Sequence, residues 1–237
     1  MPAEIQHQAM GYDRTATMFS PDGHLLQVEY AEKTVRLGSA SIGMVCSDGV
    51  FILADKRIED VLIVKESANK ISEIDSHLVA SVAGIVSDAR VLIERAQLIA
   101  QQHRITYDSP IETESIVKEI ANMKQQFTQY GGARPFGVSM MTIGINEKKL
   151  ELFVSDITGN YFSYHANAIG ENDDKIKEKL REKYKQNLKI KEGLKLALDI
   201  FKEIKGNKFS LSKFELVYIN SENKKIERIE GEKIKEL

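Results

Sequence analysis

Short apolar runs in this chain come in pairs, and each pair is joined by only a few turn residues. A connection that short can join antiparallel neighbours but not parallel ones. SASIGMVC is followed by a Ser47-Asp48-Gly49 turn and GVFILAD, which reads as a hairpin. A second pair covers roughly Asn69 to Asp75 and His77 to Gly84. GVSMMTIGI and LELFVSDI form a third around Asn146-Glu147-Lys148-Lys149, and GNYFSYHA extends it into a meander after a Thr158-Gly159 turn. FELVYIN is a final strand, followed by a charged tail. Helical spacing separates these groups. SDARVLIERAQLIAQQHR offers Ser87 or Asp88 as a cap and Val91, Leu92 and Ile99 as inward residues. The next helix is expected to be capped by Ser109, with Pro110 in its first turn. It carries Ile116, Ile120, Met123 and Phe127 on one face and stops at Gly131. Two more helices are predicted from about Asp173 to Tyr184, with Ile176, Leu180 and Tyr184 at four-residue steps, and from about Lys191 to Lys205. The order is strands, helix pair, strands, helix pair, strand. Two antiparallel sheets face to face, each covered by a helix pair, bury every one of these faces: an α+β, four-layer αββα sandwich. No linker or internal repeat divides it.

The 237 residues, 42% hydrophobic and 29% charged, suffice for one such domain. A net charge of −2 with lysines and acids interleaved leaves no basic field for nucleic acid. The single Cys46, in SIGMVCSDG, reads as a buried thiol in a reducing compartment. No apolar run approaches a membrane span, and MPAEIQHQAMGY lacks signal-peptide character, so a cytoplasmic protein is expected. His7, His24, His77, His103 and His165 show no ligand spacing, which points away from metal. GSASIG has the glycines of a phosphate loop, but Met44 and Val45 stand where lysine and a hydroxyl are needed. The tail NSENKKIERIEGEKIKEL reads as a solvated strand end and surface helix.

The opening segment has no such simple reading. In FSPDGH, Pro21 suits the second position of a tight turn and Gly23 the position that tolerates positive φ. LLQVEYAEKTVRLG then forms a helix, residues 23–37, with Leu26, Tyr30 and Thr34 on one strip, Leu25, Val28 and Val35 beside it, and Gly38 as its end. Such a helix either caps its own domain or meets a partner.

These residues carry a resemblance. YDRTATMFSPDGHLLQVEYA is similar to the N-terminal signature of proteasome core-particle alpha subunits of the archaeal type, and YGGARPFGVS (Tyr130 to Ser139) to that family's second recurrent motif. GSASIG, ADKR, SVAG and SDARVL extend the similarity along the chain. The resemblance implies the fold of N-terminal nucleophile hydrolases, a homo-heptameric alpha ring and beta subunits carrying the proteolytic threonines beneath it. It also implies a hexameric ATPase above, passing unfolded protein inward, and no cofactor. Residues 1–11 become a mobile gating tail ahead of a single domain, 12–237. Tyr12, Asp13, Arg14, Pro21 and Tyr30 match the gating cluster. Lys70, with Gly38 and Leu25, matches the pocket that receives activator tails ending in a hydrophobic residue, a tyrosine and a last residue. Lysine suits a terminal carboxylate. Tyr130, Gly131, Gly132 and Ala133 match the narrow ring inside the entrance. His24, Glu32 and Asn69 depart from the family pattern beside the hinge and pocket. The implied role is noncatalytic. One alternative stays open: cleavage between Gly38 and Ser39 would expose a hydroxyl nucleophile with its own amine as base, with Asp55 and Lys70 as acid and lysine.

Overall fold

The strand β2 (Gly49–Asp55) is buried along its whole length, so both of its faces must be covered. Phe51 and Leu53 enter one apolar cluster, and Val50, Ile52 and Ala54 another. That is the alternation a pleated strand imposes even where every residue is apolar. The computed structural model describes residues 10–57, 60, 62–147 and 149–237, and among these it builds two five-stranded sheets around β2 and β5. The first has the order β10 (Ile226–Glu230), β9 (Phe214–Asn220), β2, β1 (Ser41–Val45), β8 (Ala166–Ile169). The second has the order β3 (Ile71–Asp75), β4 (Leu78–Gly84), β5 (Val138–Asn146), β6 (Lys149–Ser155), β7 (Tyr161–Ser163). Every neighbouring pair is antiparallel.

Helices close the outer faces. Ile176 and Leu180 of α4 (Asp173–Lys183) and Leu194, Ala197 and Phe201 of α5 (Ile190–Lys205) cover the first sheet. Leu92, Ala96 and Ala100 of α2 (Val86–Tyr107) and Ile116 and Ile120 of α3 (Thr113–Gln129) cover the second. The layer between the sheets also takes Val28 and Val35 from α1 (Leu26–Leu37), which packs on β4 and β5. This is the four-layer sandwich that the hairpins required.

Several local expectations are corrected. Helix α2 begins at Val86 behind Ile85, with neither Ser87 nor Asp88 as its cap, because the Asp88 carboxylate is drawn to Arg134 and the Gly137 N–H instead. Its buried strip is Ala89, Leu92, Ile93, Ala96 and Ala100, leaving Val91 exposed and Ile99 half-buried. Helix α3 starts at Thr113 rather than at Ser109 and Pro110, since the carbonyls of Ser109 and Ile111 are engaged by the rings of His103 and His77. It ends at Gln129, two residues ahead of Gly131. The meander breaks after β7. The Tyr164 N–H still donates to Leu152 in the second sheet, but the His165 carbonyl accepts from Val45, so the chain crosses to the first sheet as β8. The charged tail is more ordered than its composition suggests: Ile226–Glu230 pairs with β9 as an edge strand, and a 3-10 turn after it buries Ile234. Charges at Glu227, Arg228 and Glu230 suit an edge strand.

Candidate functional site

Two features flank α1: the opening turn at its start and a cleft at its end, where it joins β1. At the turn, the Gly23 N–H donates to the Ser20 carbonyl at 2.9 Å, and the Ser20 N–H to the His24 carbonyl at 2.8 Å. Ser20 Oγ accepts from the His24 N–H at 3.1 Å, with Pro21 exposed between them and Gly23 at φ +83°. Proline at the second position and glycine at positive φ are what this reversal needs. Ahead of it, Tyr12–Arg14 make a 3-10 turn entered through Gly11 at φ 79°. The Gln27 side-chain amide of α1 donates to the Asp13 carbonyl, so Tyr12, Asp13 and Arg14 are tied to the helix that carries Tyr30. Tyr12, Asp13 and Tyr30 are half-buried and Arg14 is exposed. Of the departures, His24 meets the Glu29 carboxylate, Glu32 is exposed, and the Asn69 side chain accepts from Lys56 Nζ at 2.8 Å.

Helix α1 ends at Gly38, but not by a left-handed cap. Gly38 is extended, at φ −68° and ψ 146°. It is glycine for lack of room: a Cβ there would lie 2.5 Å from the Gly84 backbone nitrogen. The Glu171 N–H donates to its carbonyl at 2.8 Å. Beyond it opens a cleft of about 750 Å³ lined by Gly38, Ser39 and Lys70, with Arg57, Val86 and Arg90 among its walls. Lys70 Nζ donates to the Ser39 carbonyl and lies 2.7 Å from Ser39 Oγ. Burial pushes its ammonium down to about 7; Asp55 opposes that shift, while Arg57 and Lys205 add to it. Asp55, itself buried, accepts from Lys205 Nζ at the end of α5 and from the Arg57 N–H at 3.2 Å. The Glu215 carboxylate accepts the Lys70 backbone N–H at 3.0 Å and pairs with Arg228. Lys70 is therefore held by its backbone and by its amine. A half-buried lysine lining an open cleft can receive a carboxylate, and with a hydroxyl beside it has two of the groups of a nucleophile site.

The structure thus brings Gly38, Ser39 and Lys70 together in the cleft, with the buried Asp55 acting on the Lys70 amine, but leaves Leu25 out of the cleft, packed against the layer between the sheets. Tyr130 to Ala133 form a separate turn: the Ala133 N–H donates to Tyr130 at 3.2 Å, Gly132 has φ +86°, and Tyr130 is 72% exposed. Positive φ requires glycine at Gly132, whereas Gly131 has open space around it. Arg134 fastens this turn to α2 with a two-pronged grip on Asp88, at 2.6 and 2.8 Å. The guanidinium holds the Asp88 carboxyl below the usual carboxylate range. Sequence reasoning missed this anchor, although Asp88 and Arg134 both stand inside quoted motifs. Lys205, Glu215 and Arg228 give no local signal, because they reach Asp55 and the Lys70 backbone from elements far along the chain. Cys46 is buried and free, its thiol pushed up to about 12 by burial. Among the described residues no helix is long and apolar enough to cross a membrane, and no three metal-ligating side chains gather.

Residues 35–219 match the proteasome subunit family, and residues 12–33 match the N-terminal signature of its A-type members. Relatives named as alpha subunits of the proteasome agree with most of the chain. That of Methanothermobacter thermautotrophicus is 40% identical over 97% of this chain and 92% of its own length. That of Pyrococcus horikoshii is 43% identical over 94% and 85%, and one from Methanococcus maripaludis is 47% identical over 80% and 73%.

Proposed function

This chain belongs to the proteasome subunit family, as an alpha-type member of the core particle that assembles in rings with beta subunits, and from that premise we propose that it is the noncatalytic gate and docking component. Seven copies form the outer ring in the cytoplasm. Residues 1–11 obstruct the axial passage; residues 1–9 of that tail lie outside the described residues. Tyr12, Asp13, Arg14, Pro21 and Tyr30 hold the base of the tail, and Tyr130 to Ala133 line the passage below. A hexameric ATPase inserts C-terminal tails of hydrophobic-tyrosine-X type against Lys70, Gly38 and Leu25, the gating tails move outward, and unfolded protein passes to the beta subunits.

The observation that carries this reading is the pairing of Lys70 with Gly38 in one open cleft, next to the helix that follows the signature turn. A tail carboxylate loses water as it enters, and the ammonium compensates by a charge-assisted hydrogen bond. A second reading is favoured by the 2.7 Å contact of Lys70 Nζ with Ser39 Oγ: a self-processing hydrolase. It requires a free amine at Ser39, which in this chain is an internal residue behind α1. The two separate in one set of reconstituted particles. Removing residues 1–11 should raise degradation of long unfolded substrates and leave short-peptide hydrolysis at the beta sites unchanged. Lys70→Ala should abolish stimulation by an activator peptide. Normal stimulation of the Lys70→Ala particle sinks the docking reading. An intact mass beginning at Ser39, with peptidase activity that Ser39→Ala removes, installs the hydrolase.

A further inference from the structure

Lys70 differs from Lys149 and Lys179 in what its amine touches, and from Lys124 in lining a cleft. Its Nζ contacts are a carbonyl and a hydroxyl, both of Ser39. Among the described residues the carboxylates that face it are otherwise engaged: Asp55 by Lys205 and the Arg57 N–H, Glu215 by Arg228 and by the backbone N–H of Lys70 itself. Among the described residues Arg57 and Lys205 are the cations that face it, and both oppose its protonation. Lys149 and Lys179 show the opposite arrangement, each hydrogen-bonded to a glutamate that raises its ammonium. An amine with no direct carboxylate partner among the described residues, fixed beside a hydroxyl and lining a cleft of about 750 Å³, has the requirements of a nucleophile: a lone pair, a fixed direction and access.

We propose that Lys70 is an acylation site, whose amine attacks small activated acyl donors, acyl phosphates or acyl thioesters, that enter the cleft beside Ser39. The Nζ lone pair forms a bond to the acyl carbon. The carbon–oxygen or carbon–sulfur bond breaks, and phosphate or thiolate leaves with the electron pair. The surplus proton passes through the Ser39 hydroxyl to water and the leaving group. The product is a neutral amide, with nothing oxidised or reduced. Burial pushes the Lys70 ammonium down to about 7, so roughly half of it is free amine at neutral pH. An ordinary lysine, near 10.4, is free amine to less than about one part in a thousand. Lys124 is pushed to the same range, but it is fully buried beneath α3, where no donor reaches it. The amide would also delete the cation that tail docking needs. That consequence rests on the function proposed above, whereas the labelling itself does not.

The experiment exposes the assembled particle to limiting acetyl phosphate, and in a parallel arm to acetyl coenzyme A, and follows acetylation of each lysine by peptide mass spectrometry at several pH values. Lys70 should acquire acetyl groups at least about tenfold faster than Lys149 and Lys179 at pH 7. Its rate should level off above about pH 8, while theirs keep rising, and Lys124 should stay unlabelled. Reaction in only one arm identifies the class of donor that the cleft admits, and supports the site. Equal rates at Lys70 and Lys149, or a Lys70 rate that climbs with pH as an exposed lysine's does, overturns the proposal. So does acetyl on Ser39 as a hydroxylamine-labile ester. Because these readouts do not depend on activator stimulation, a particle can label at Lys70 and fail the docking test, or the reverse.

Discussion

Lys70 and Lys124 are the same residue solved twice. Each donates to a serine carbonyl and sits within hydrogen-bond reach of that serine's hydroxyl: Ser39 Oγ at 2.7 Å and Ser155 Oγ at 2.9 Å. Each is pushed down to about 7 by burial, against one opposing aspartate. The difference lies in what surrounds them. Lys124 is 0% exposed and also donates to the Asp156 carbonyl at 3.2 Å, so all three of its protons are placed. It clamps the turn after β6 against α3, which lies so near that a Cβ on Gly159 would sit 2.3 Å from the Ala121 carbonyl. Lys70 opens onto the cleft. Two shared contacts thus belong to a strut in one place and a site in the other, and a third acceptor together with closure from solvent separates them.

The largest test of that contrast is truncation. Lys124→Ala leaves three acceptors unpaired and a hole beneath α3, and should cost about 3–5 kcal/mol. That lowers the thermal midpoint by roughly 6–20 °C. Lys70→Ala should cost under about 1 kcal/mol, because cleft water can replace the amine at Ser39. Equal losses in calorimetry would erase the distinction between strut and site.

Titration is the next test. A lysine whose folded value lies near 7, below the ordinary 10.5, binds fewer protons folded than unfolded between those values. Stability should therefore rise with pH through that window, and below 7 the penalty for burying the charge is fully present. The rise attributable to Lys124 should reach about 2–4 kcal/mol between pH 7 and 10, measured by denaturant midpoints. Lys124→Met should remove it while keeping much of the volume. A flat wild-type profile would show that Lys124 stays charged where it is buried.

Smaller in energy is the function of the open lysine. Lys70→Ala should weaken an activator peptide by about tenfold or more per pocket, and Lys70→Arg should restore only part, since a planar fork replaces a compact ammonium. Peptide titration of fluorogenic hydrolysis reads this directly, and full restoration by arginine would mean that charge alone suffices. The smallest effect falls on the entrance turn. Arg134→Ala frees Asp88 from its grip and should cost about 1–2 kcal/mol at pH 7. Because the Asp88 carboxyl is held below 3.8, the stability it contributes is present above that value and disappears as pH falls through its lowered one. The gap between wild type and Arg134→Ala should therefore close in strong acid; a gap independent of pH would assign the loss to packing.

Much of this molecule was legible along the chain. The hairpins demanded antiparallel sheets, helical spacing supplied the covers, and Pro21 with Gly23 announced the turn before α1 because both act through their own backbone angles. Lys124 was legible in principle and passed over: it lies four residues after Ile120 and eight after Ile116, on the apolar face, where a lysine must bring partners with it. Asp88 was misread as a cap because capping is a local habit, and the residue that overrides it, Arg134, is remote in sequence.

Element type, order and antiparallel pairing were therefore settled by the sequence itself, since hydrophobic period, turn geometry and connection length are properties of neighbours. The crossing of β8 to the first sheet, the extended Gly38 wedged against Gly84, and the state of Lys70 were decided only by the tertiary structure. The Lys70 amine becomes what it is through Ser39, Asp55, Arg57 and Lys205, residues from separate elements that no local pattern links. Burial and charge act through space, and the spatial neighbourhood of a side chain exists only once the sheets have stacked.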